Sequence, residues 1–430
     1  MAIIPQIPLF SWEHVEGLGD LDRLRLALDY MPDKTLMEQL ECDRGRGRDD
    51  HSVRAMWNSV LAGIVFQHPS IESLRRELSR NGQLRYLCGL HGVPSASAYT
   101  RFLHGVIRHG AEIDTMFEAM VENLATLLPG FGERAAIDGK ALPSFAKHRA
   151  NSDIPDGRRD TDADYGKKTY KGKHKDGTPW EKVVRWFGYR LHLVVDEEYE
   201  LPIAYSVTKA STVDLPGGKD LIAQVAERQP KVIERMQILT ADKGYDDTKF
   251  TVTLYDEHTI KPVIDIRNSW KDGEQTRLLP GHTNATYDLH GNVYCYHPQT
   301  DEQHRMANGG FEQDRRTLKK LCPARHFGIA CDAQATCPLA KGLRVPLSTN
   351  RRIFTPIDRS SYAWIRLYKE RTAVERVNSR LDVSFGFELH TIRGLKKMKM
   401  RVGLALCVML AMAIGHIREH QPDKLRSLVA

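Results

Sequence analysis

The period of the hydrophobic pattern changes near Gly132, and this change limits the possible folds more than any other feature. Before it, apolar residues recur at the helical spacing i, i+3, i+4 and i+7, most clearly over residues 53–65 and 113–128. After it, apolar and polar residues alternate over 189–195 and 203–207, which is the period of a strand. The pattern therefore predicts a helical first third followed by a part that contains a sheet.

The order of elements after Gly132 favours a mixed sheet with helices on its faces. Apolar runs predict strands at 135–137, 238–241 and 262–266, and an antiparallel hairpin over 189–207. Helical patterns fall near 221–226 and from Thr248 onward. A hairpin followed by crossover units is typical of a mixed α/β fold. The polar, lysine-rich segment 147–178 is predicted to be a surface loop with a positive patch.

Two aspartates stand where predicted strands end. Asp138 follows one strand and precedes Gly139, and Asp242 follows another and precedes a turn that contains glycine. Two such carboxylates on neighbouring strands would repel each other unless a cation lay between them. Carboxylate oxygens of this kind select Mg²⁺ or Mn²⁺. The pattern therefore predicts a divalent-metal site at this edge of the sheet.

A third acid is expected from a helix, and Glu375 is the best candidate. Tyr368, Arg371 and Glu375 are spaced i, i+3 and i+7, which places them on one helix face. Arg371 can hold the Glu375 carboxylate ionised and oriented. Taken singly, an aspartate before glycine usually marks a turn, and a glutamate beside arginine is usually a surface pair. The three acids together, in these positions, favour a catalytic site.

These motifs resemble those of bacterial insertion-sequence transposases of the DDE class, whose catalytic core is RNase H-like. The segments that carry the resemblance are IDGKALP around Asp138, GYRLHLVVD at 188–196, LTADKGYD around Asp242 and YKERTAVERVNSRLD from Tyr368. The last is similar to the family's Tyr-x2-Arg-x3-Glu signature. A basic residue often follows that glutamate by seven positions, whereas this chain has Asp382 there.

The resemblance implies an RNase H-like mixed sheet flanked by helices, and a site in which Asp138, Asp242 and Glu375 hold two Mg²⁺ ions, with Mn²⁺ as the alternative metal. The implied reaction is metal-dependent cleavage of DNA at transposon ends, followed by strand transfer into target DNA. Several further residues are expected to orient the site or bind DNA: Tyr368, Arg371, Arg376, Arg380, Lys140, Lys243, Lys396 and Lys397. Lys140 and Lys243, beside the acids, have ordinary surface lysines as their alternative interpretation.

Four parts of the chain are expected. Residues 1–131 would form a helical N-terminal domain that binds DNA, and 132–269 and 351–430 would form the two parts of the catalytic core. Residues 270–350 would be an insertion, because 133 positions separate Asp242 from Glu375, too many for a compact core. The short helices between residues 50 and 110 are either a helix-turn-helix, with Ser97, Tyr99, Thr100 and Arg101 reaching DNA, or a plain bundle.

The expected insertion contains four of the seven cysteines within 43 residues: Cys295, Cys322, Cys331 and Cys337. Four thiols in a polar segment suggest a structural Zn²⁺ site that folds a small domain lacking a core. The intervals of 27, 9 and 6 residues contain no C-x2-C pair, so scattered free cysteines remain the alternative.

Composition limits the class of protein without deciding it. The net charge of +7 permits a nucleic-acid partner but does not require one. The longest apolar stretch, 402–417, is 16 residues long and interrupted by two glycines, so a membrane span is not expected. The N-terminus lacks a basic region followed by an apolar run, so a secretory signal is not expected either. A cytoplasmic, nucleoid-associated bacterial protein is expected instead, acting as a homodimer or larger assembly when two DNA ends are paired.

Two other functions remain open on the sequence. A metal-dependent nuclease with the same core would cleave DNA without joining strands. A catalytically inactive DNA-binding protein would keep the basic patches without needing the acids.

Overall fold

The computed structural model describes residues 20–46, 50–146, 160–297, 300 and 302–426. Seven helices precede the first strand within these residues: α1 (Leu21–Tyr30), α2 (Lys34–Arg44), α3 (Val53–Val65), α4 (Ile71–Arg80), α5 (Gly82–Cys88), α6 (Ala96–Arg108) and α7 (Gly110–Leu127). The predicted helical first third is confirmed. Serine side chains cap α3, α4 and α6, and the predicted cap at Ser70 accepts from the Ser73 backbone N–H at 3.2 Å.

A mixed sheet of six strands follows: β1 (Arg134–Pro143), β2 (Asp164–Lys173), β3 (Pro179–Asp196), β4 (Pro202–Lys209), β5 (Ile238–Ala241) and β6 (Lys261–Ile264). The spatial order is β2-β3-β1-β5-β6, and β4 also pairs with β3. The strands β2, β1 and β4 are antiparallel to β3, whereas β1, β5 and β6 run parallel. This is the predicted RNase H-like mixed sheet.

Short helices connect the strands on the faces of this sheet. Helices α8 (Asp214–Arg228) and α9 (Pro230–Arg235) join β4 to β5. A 3₁₀ turn at Lys243–Tyr245, helix α10 (Thr248–Val252) and a π turn at Thr253–Glu257 join β5 to β6. The helices predicted near 221–226 and from Thr248 are confirmed.

The predicted surface loop over 147–178 is wrong for its second half. Asp164–Lys173 is strand β2, which pairs antiparallel with residues 179–188 of β3, while residues 147–159 lie outside the described part of the chain. The resulting hairpin extends beyond the sheet core, and residues 179–185 of β3 are all exposed. The polar composition that suggested a loop belongs to a two-stranded arm, whose strands bury few of their side chains.

The segment after β6 contains two small sheets. Strands β7 (Arg277–Leu278), β8 (Ala285–Tyr287), β9 (Val293–Tyr296) and β10 (Gln303–Arg305) form the first, and β11 (Ala307–Glu312), β12 (Thr317–Leu321) and β13 (Leu343–Pro346) form the second. Helix α11 (Pro323–Phe327) and 3₁₀ turns at Asp332–Ala335 and Leu347–Thr349 complete the segment. It has its own apolar cluster, which includes Trp270, Val293, Leu318, Val345 and Phe354, so the expectation of a domain lacking a core is wrong.

Three helices end the chain: α12 (Tyr362–Glu370), α13 (Thr372–Val383) and α14 (Leu395–Arg418), followed by a 3₁₀ turn at Pro422–Lys424. Helix α14 packs against α1, α3 and α7 on one side and against β4 of the sheet on another. Among the described residues, α14 is the one helix long and apolar enough to cross a membrane, yet 83% of its apolar window is buried inside the protein. The prediction that this helix packs against the sheet is confirmed.

The N-terminal helices and the central sheet share one apolar core. A single cluster of buried residues includes Trp57 of α3, Phe117 of α7, Ile137 of β1, Leu191 of β3 and Leu406 of α14. Phe131, at the expected boundary between the first two parts, is itself buried in this cluster. The helices before β1 are therefore packed into the same body as the sheet.

Candidate active site

Asp138 and Asp242 occupy matched positions on neighbouring parallel strands. In the register of β1 and β5, Ile137 lies opposite Ala241, and each aspartate is the next residue along its chain. Burial raises the pKa of Asp138 to about 6; the nearby charge of Lys168 lowers it, and the charge of Asp242 raises it again. The two carboxylates therefore lie close enough to repel each other. The prediction that a strand ends at Asp138 is wrong, because β1 continues through Asp138 to Pro143, whereas β5 does end directly before Asp242.

Glu375 lies on the helix pair that packs beside these strands. The sequence predicted one continuous helix through Tyr368, Arg371 and Glu375, whereas the structure has two helices, α12 and α13, that meet at Arg371. Arg371 Nη2 donates to Glu375 Oε1 at 2.8 Å. Glu375 and Asp138 line one cavity of about 380 Å³, which we call the acid cavity.

The three predicted acids are neighbours, but they do not form a finished coordination shell. Within the described ranges, no group of three or more His, Cys, Asp or Glu side chains is arranged to hold a metal ion. Asp138 accepts from the Gly139 N–H at 2.8 Å, Asp242 accepts from the Gly244 N–H at 2.7 Å, and Glu375 accepts from Arg371. Each carboxylate is therefore stabilised by its own hydrogen-bond donor. Their mutual repulsion disfavours a closer approach unless a cation lies between them.

A fourth acid, Asp214, belongs to this cluster and was missed by the sequence analysis. It lies in the first turn of α8, and its negative charge helps to raise the pKa of Asp138, after burial and the charge of Asp242. Its carboxylate pairs with the Arg190 guanidinium, whose side chain is 3% exposed. Asp214 starts a helix and does not directly follow a strand, so the pattern of acids after apolar strands does not mark it in the sequence.

The close approach of Asp214 requires glycine at position 139. A Cβ atom built on Gly139 would lie 2.2 Å from Asp214 Oδ1, well inside van der Waals contact. Because Gly139 directly follows Asp138, the Asp-Gly pair that resembled a turn motif is instead part of a strand. The glycine makes room for the fourth acid.

The two lysines predicted beside the acids differ in their surroundings. The Lys140 ammonium forms an ion pair with Asp382, and both residues line the acid cavity. Lys243 is exposed in the turn after Asp242. Lys168 of β2, which was predicted to lie in a loop, lines the acid cavity together with Lys140. Lysine side chains from β1 and from the β2–β3 hairpin therefore surround Asp138.

Arg376 and Arg380 face away from this cavity. Arg376 Nε donates to Glu200 Oε1 at 2.7 Å, and Arg380 Nη1 donates to the Glu200 backbone oxygen at 2.7 Å. Arg380 Nη2 also pairs with Glu200 Oε2. Glu200 is 4% exposed and lies in the β3–β4 turn. Both arginines thus fasten α13 to the sheet instead of pointing into the site.

Tyr368 is half-buried behind Glu375. Its ring stacks on Trp364, with centroids 4.9 Å apart and planes at 9°, and the Arg371 guanidinium lies 5.7 Å from its centroid. Burial raises the pKa of the Tyr368 hydroxyl, and the charges of Asp265 and Asp242 act in the same direction. The Arg371 guanidinium thus contacts both the Tyr368 ring and the Glu375 carboxylate, so it can orient Glu375.

The basic residues expected elsewhere are divided between surface and interior. Lys396 and Lys397 are exposed at the start of α14, but Arg401 in the same run donates inward to the Phe385 backbone oxygen at 2.9 Å. In α6, Tyr99 is fully buried, and its hydroxyl donates to Ser59 at 2.8 Å. Tyr99 therefore cannot reach DNA in the predicted helix-turn-helix, whereas Thr100 and Arg101 are exposed.

The four cysteines of the segment after β6 line one small cavity, although they are far apart in sequence. All are free thiols. This cysteine cluster lies within the two small sheets and is separate from the residues that line the acid cavity.

Comparison with known proteins places these features in a family. A family model described as "Transposase DDE domain" matches residues 129–411, and one described as "Transposase domain (DUF772)" matches residues 15–105. Among solved structures, a chain of the cryo-EM structure of the piggyBac transposase synaptic complex with hairpin DNA is similar, at 10% sequence identity and a TM-score of 0.30. The similarity covers 96% of this chain and 85% of the piggyBac chain. So distant a likeness carries no weight for function. No curated protein matches the chain.

Proposed function

Because this chain belongs to the transposase DDE domain family, we propose that it cleaves DNA at transposon ends and transfers the freed strand into target DNA. The observation that carries the proposal is the register of β1 and β5, which brings Asp138 beside Asp242, with Glu375 on the same cavity as Asp138. Family membership supports DNA transposition; the assignment of these residues to cleavage and joining is our proposal.

The donor set fits hard divalent cations. The carboxylates of Asp138, Asp242 and Glu375 offer only oxygen ligands. Burial, and after it the charge of Asp242, raises the pKa of Asp138, and a bound cation would stabilise the ionised carboxylate against both effects. Two Mg²⁺ ions, when held by these carboxylates, supply activation of the attacking hydroxyl and stabilisation of the leaving 3′-oxygen. Mn²⁺ has the same ligand preference. Asp214 is near enough to add charge, but its pairing with Arg190 assigns it to positioning.

The protein's own contribution is position and charge. Arg371 fixes the direction of the Glu375 carboxylate through the 2.8 Å hydrogen bond. Lys168 lies on the cavity wall, where a DNA phosphate would meet it beside Asp138. Lys140 is the counterpart on β1; its pairing with Asp382 places an ammonium group near the position where the family often has a basic residue.

DNA is the proposed partner along two surfaces. Exposed cations on the β2–β3 arm and at the start of α14 would follow phosphates near the acid cavity. Joining two transposon ends requires two active sites, so we propose a homodimer or a larger assembly during catalysis. Exposed Thr100 and Arg101 of α6 are further candidates for DNA contact.

The proposal is tested on a plasmid that carries the gene between its own flanking DNA ends. We expect Asp138→Asn, Asp242→Asn and Glu375→Gln each to reduce Mg²⁺-dependent strand cleavage at least about 100-fold, whereas Glu227→Gln, on an exposed face of α8, should leave it unchanged. Cleavage is measured by mapping new 3′ ends, and joining by recovery of the ends in a target plasmid.

The same assay separates the two alternatives. Cleavage that depends on all three acids, with no joined product at any DNA end, would support a nuclease. DNA binding without cleavage, unchanged in the three variants, would support an inactive DNA-binding protein. Cleavage that survives in all three variants would refute the assignment of the acids.

A further inference from the structure

The cysteine cluster assembles thiols from separate elements around one point. Cys295 lies on β9 of the first small sheet, and Cys322 directly follows β12 of the second. Cys331 and Cys337 bracket the 3₁₀ turn at Asp332–Ala335. The cavity between them has a volume of about 20 Å³, close to the space that a single water-sized sphere requires.

We propose that the cysteine cluster binds one Zn²⁺ ion through its four sulfur atoms. The function of this site is structural and independent of the DNA chemistry proposed above. Four thiolates in tetrahedral arrangement form a closed zinc site that leaves no position for a substrate. The ion would join the two small sheets of the segment, since its ligands come from both.

The electrostatics of the thiols agree with close mutual approach. Burial raises the pKa of Cys295 to about 11, and the charges of Cys322, Cys337 and Cys331 act in the same direction. A thiol binds a metal only as a thiolate, so binding replaces protons that otherwise hold the sulfurs in a neutral state. The described side chains do not form a complete set of ligands, so the sulfurs would have to move toward the ion when it binds.

Nearby polar groups are suited to support thiolate ligands. Asn284 Nδ2 lies 3.8 Å from Cys337 Sγ, within reach of an N–H···S hydrogen bond. His297 also lines the cavity, but its Nε2 is bonded to Asp332 at 2.5 Å and its Nδ1 accepts from the Thr300 backbone N–H at 3.2 Å. Both ring nitrogens are engaged, which favours four cysteines over a set that includes this histidine.

The first test is the metal content of the full-length chain, purified under reducing conditions without chelator. Mass spectrometry of the metal should find about one zinc per chain. Cys322→Ser and Cys337→Ser should each lose most of that zinc, whereas Cys42→Ser, an exposed cysteine on α2 outside the cluster, should retain it. Because no DNA is present, the result does not depend on whether the chain is an active transposase.

A second measurement keeps the proposal falsifiable if the serine variants fail to fold. The wild-type chain, stripped of metal and loaded with Co²⁺, should show the visible absorption bands of tetrahedral cobalt and a thiolate-to-metal charge-transfer band. A chain that contains no zinc and gives no such bands would overturn the proposal. So would a non-reduced intact mass showing that the four cysteines are paired as disulfides.

Discussion

At the level of single residues, the acid cluster is held together at a cost in stability. Burial disfavours the charge on Asp138 most, the charges of Asp242 and Asp214 add to this effect, and the charge of Lys168 opposes it. Gly139 leaves room for the nearby Asp214 carboxylate, and buried Arg190 pairs with it. Such clustering of like charges in a partly buried place is typical of a functional site, because it lowers stability unless a ligand compensates it.

Asp138→Asn should therefore stabilise the metal-free protein at neutral pH. The pKa of Asp138 in the folded state is raised to about 6, so its ionisation disfavours folding. This destabilisation grows as the pH rises from about 4 to about 6 and is complete at higher pH. In EDTA at pH 7, the variant should exceed the wild type in free energy of unfolding by up to about 3 kcal/mol. The difference should disappear near pH 4. Urea titrations at the two pH values measure it.

Mg²⁺ provides the internal control for this prediction. Saturating Mg²⁺ at pH 7 should raise the stability of the wild type more than that of Asp138→Asn, because the cation offsets the same repulsion. An equal stability difference at pH 4 and pH 7 would show that Asp138 is not destabilised by ionisation.

At the level of helices and strands, the position of Glu375 depends on how α13 is attached to the sheet. Arg376 and Arg380 of α13 bind Glu200, a buried residue in the turn between β3 and β4. Glu200 has a φ of 55°, so the turn itself is held in the left-handed region. These contacts fix the helix that carries Glu375 relative to the strand next to Asp138.

Glu200→Gln should weaken this attachment. Removing the charge of Glu200 leaves three arginines, Arg376, Arg380 and Arg426, without their shared carboxylate, so we expect a loss of about 3 kcal/mol in the free energy of unfolding. The matched control is Glu198→Gln in the same turn, whose side chain is 54% exposed and pairs with Arg134; it should cost less than about 1 kcal/mol. Chemical denaturation of both variants tests the comparison, and equal losses would contradict it.

Across the molecule as a whole, the β2–β3 arm extends from the sheet beside the acid cavity. Its exposed cations include Lys167, Lys175 and Lys182, while Lys168 turns toward Asp138. Exposed Tyr165 and Trp180 lie among them. Positive charge interleaved with aromatic rings on a two-stranded arm is suited to a nucleic-acid strand that passes the acid cavity.

Replacing Lys167, Lys175 and Lys182 together by glutamine should weaken DNA binding in a salt-dependent way. The slope of log K against log salt is negative, and each lysine that no longer neutralises a phosphate makes it less steep by about 0.9, so the slope of the triple variant should decrease in magnitude by up to about 3. The control replaces Lys34, Lys249 and Lys341, which are exposed elsewhere. Fluorescence anisotropy on duplex DNA from about 50 to about 200 mM salt measures both. Identical slopes for the two triple variants would exclude the arm from binding.

The larger elements of the fold could be predicted from the sequence because their causes are local. The helical period of α3 and α7, the cap at Ser70 and the alternation in β3 and β4 are readable from neighbouring residues. The arm was predicted as a loop because its strands bury little, so its composition is that of a loop. The break between α12 and α13 at Arg371 leaves no mark in the apolar pattern.

Neighbouring residues were enough to predict that Asp138 and Asp242 follow short apolar runs of strand and that Glu375 lies on a helix close to Arg371. Three-dimensional packing was needed to bring Ile137 and Ala241 into register and to place Asp214 beside the other acids. It also decided the ion pairs: Lys140 pairs with Asp382, and Arg376 and Arg380 both pair with Glu200. The same is true of the cysteine cluster, whose members converge from two sheets. Periodicity depends on residues a few positions apart, whereas ion pairs and shared cavities depend on chain segments whose separation in sequence carries no signal.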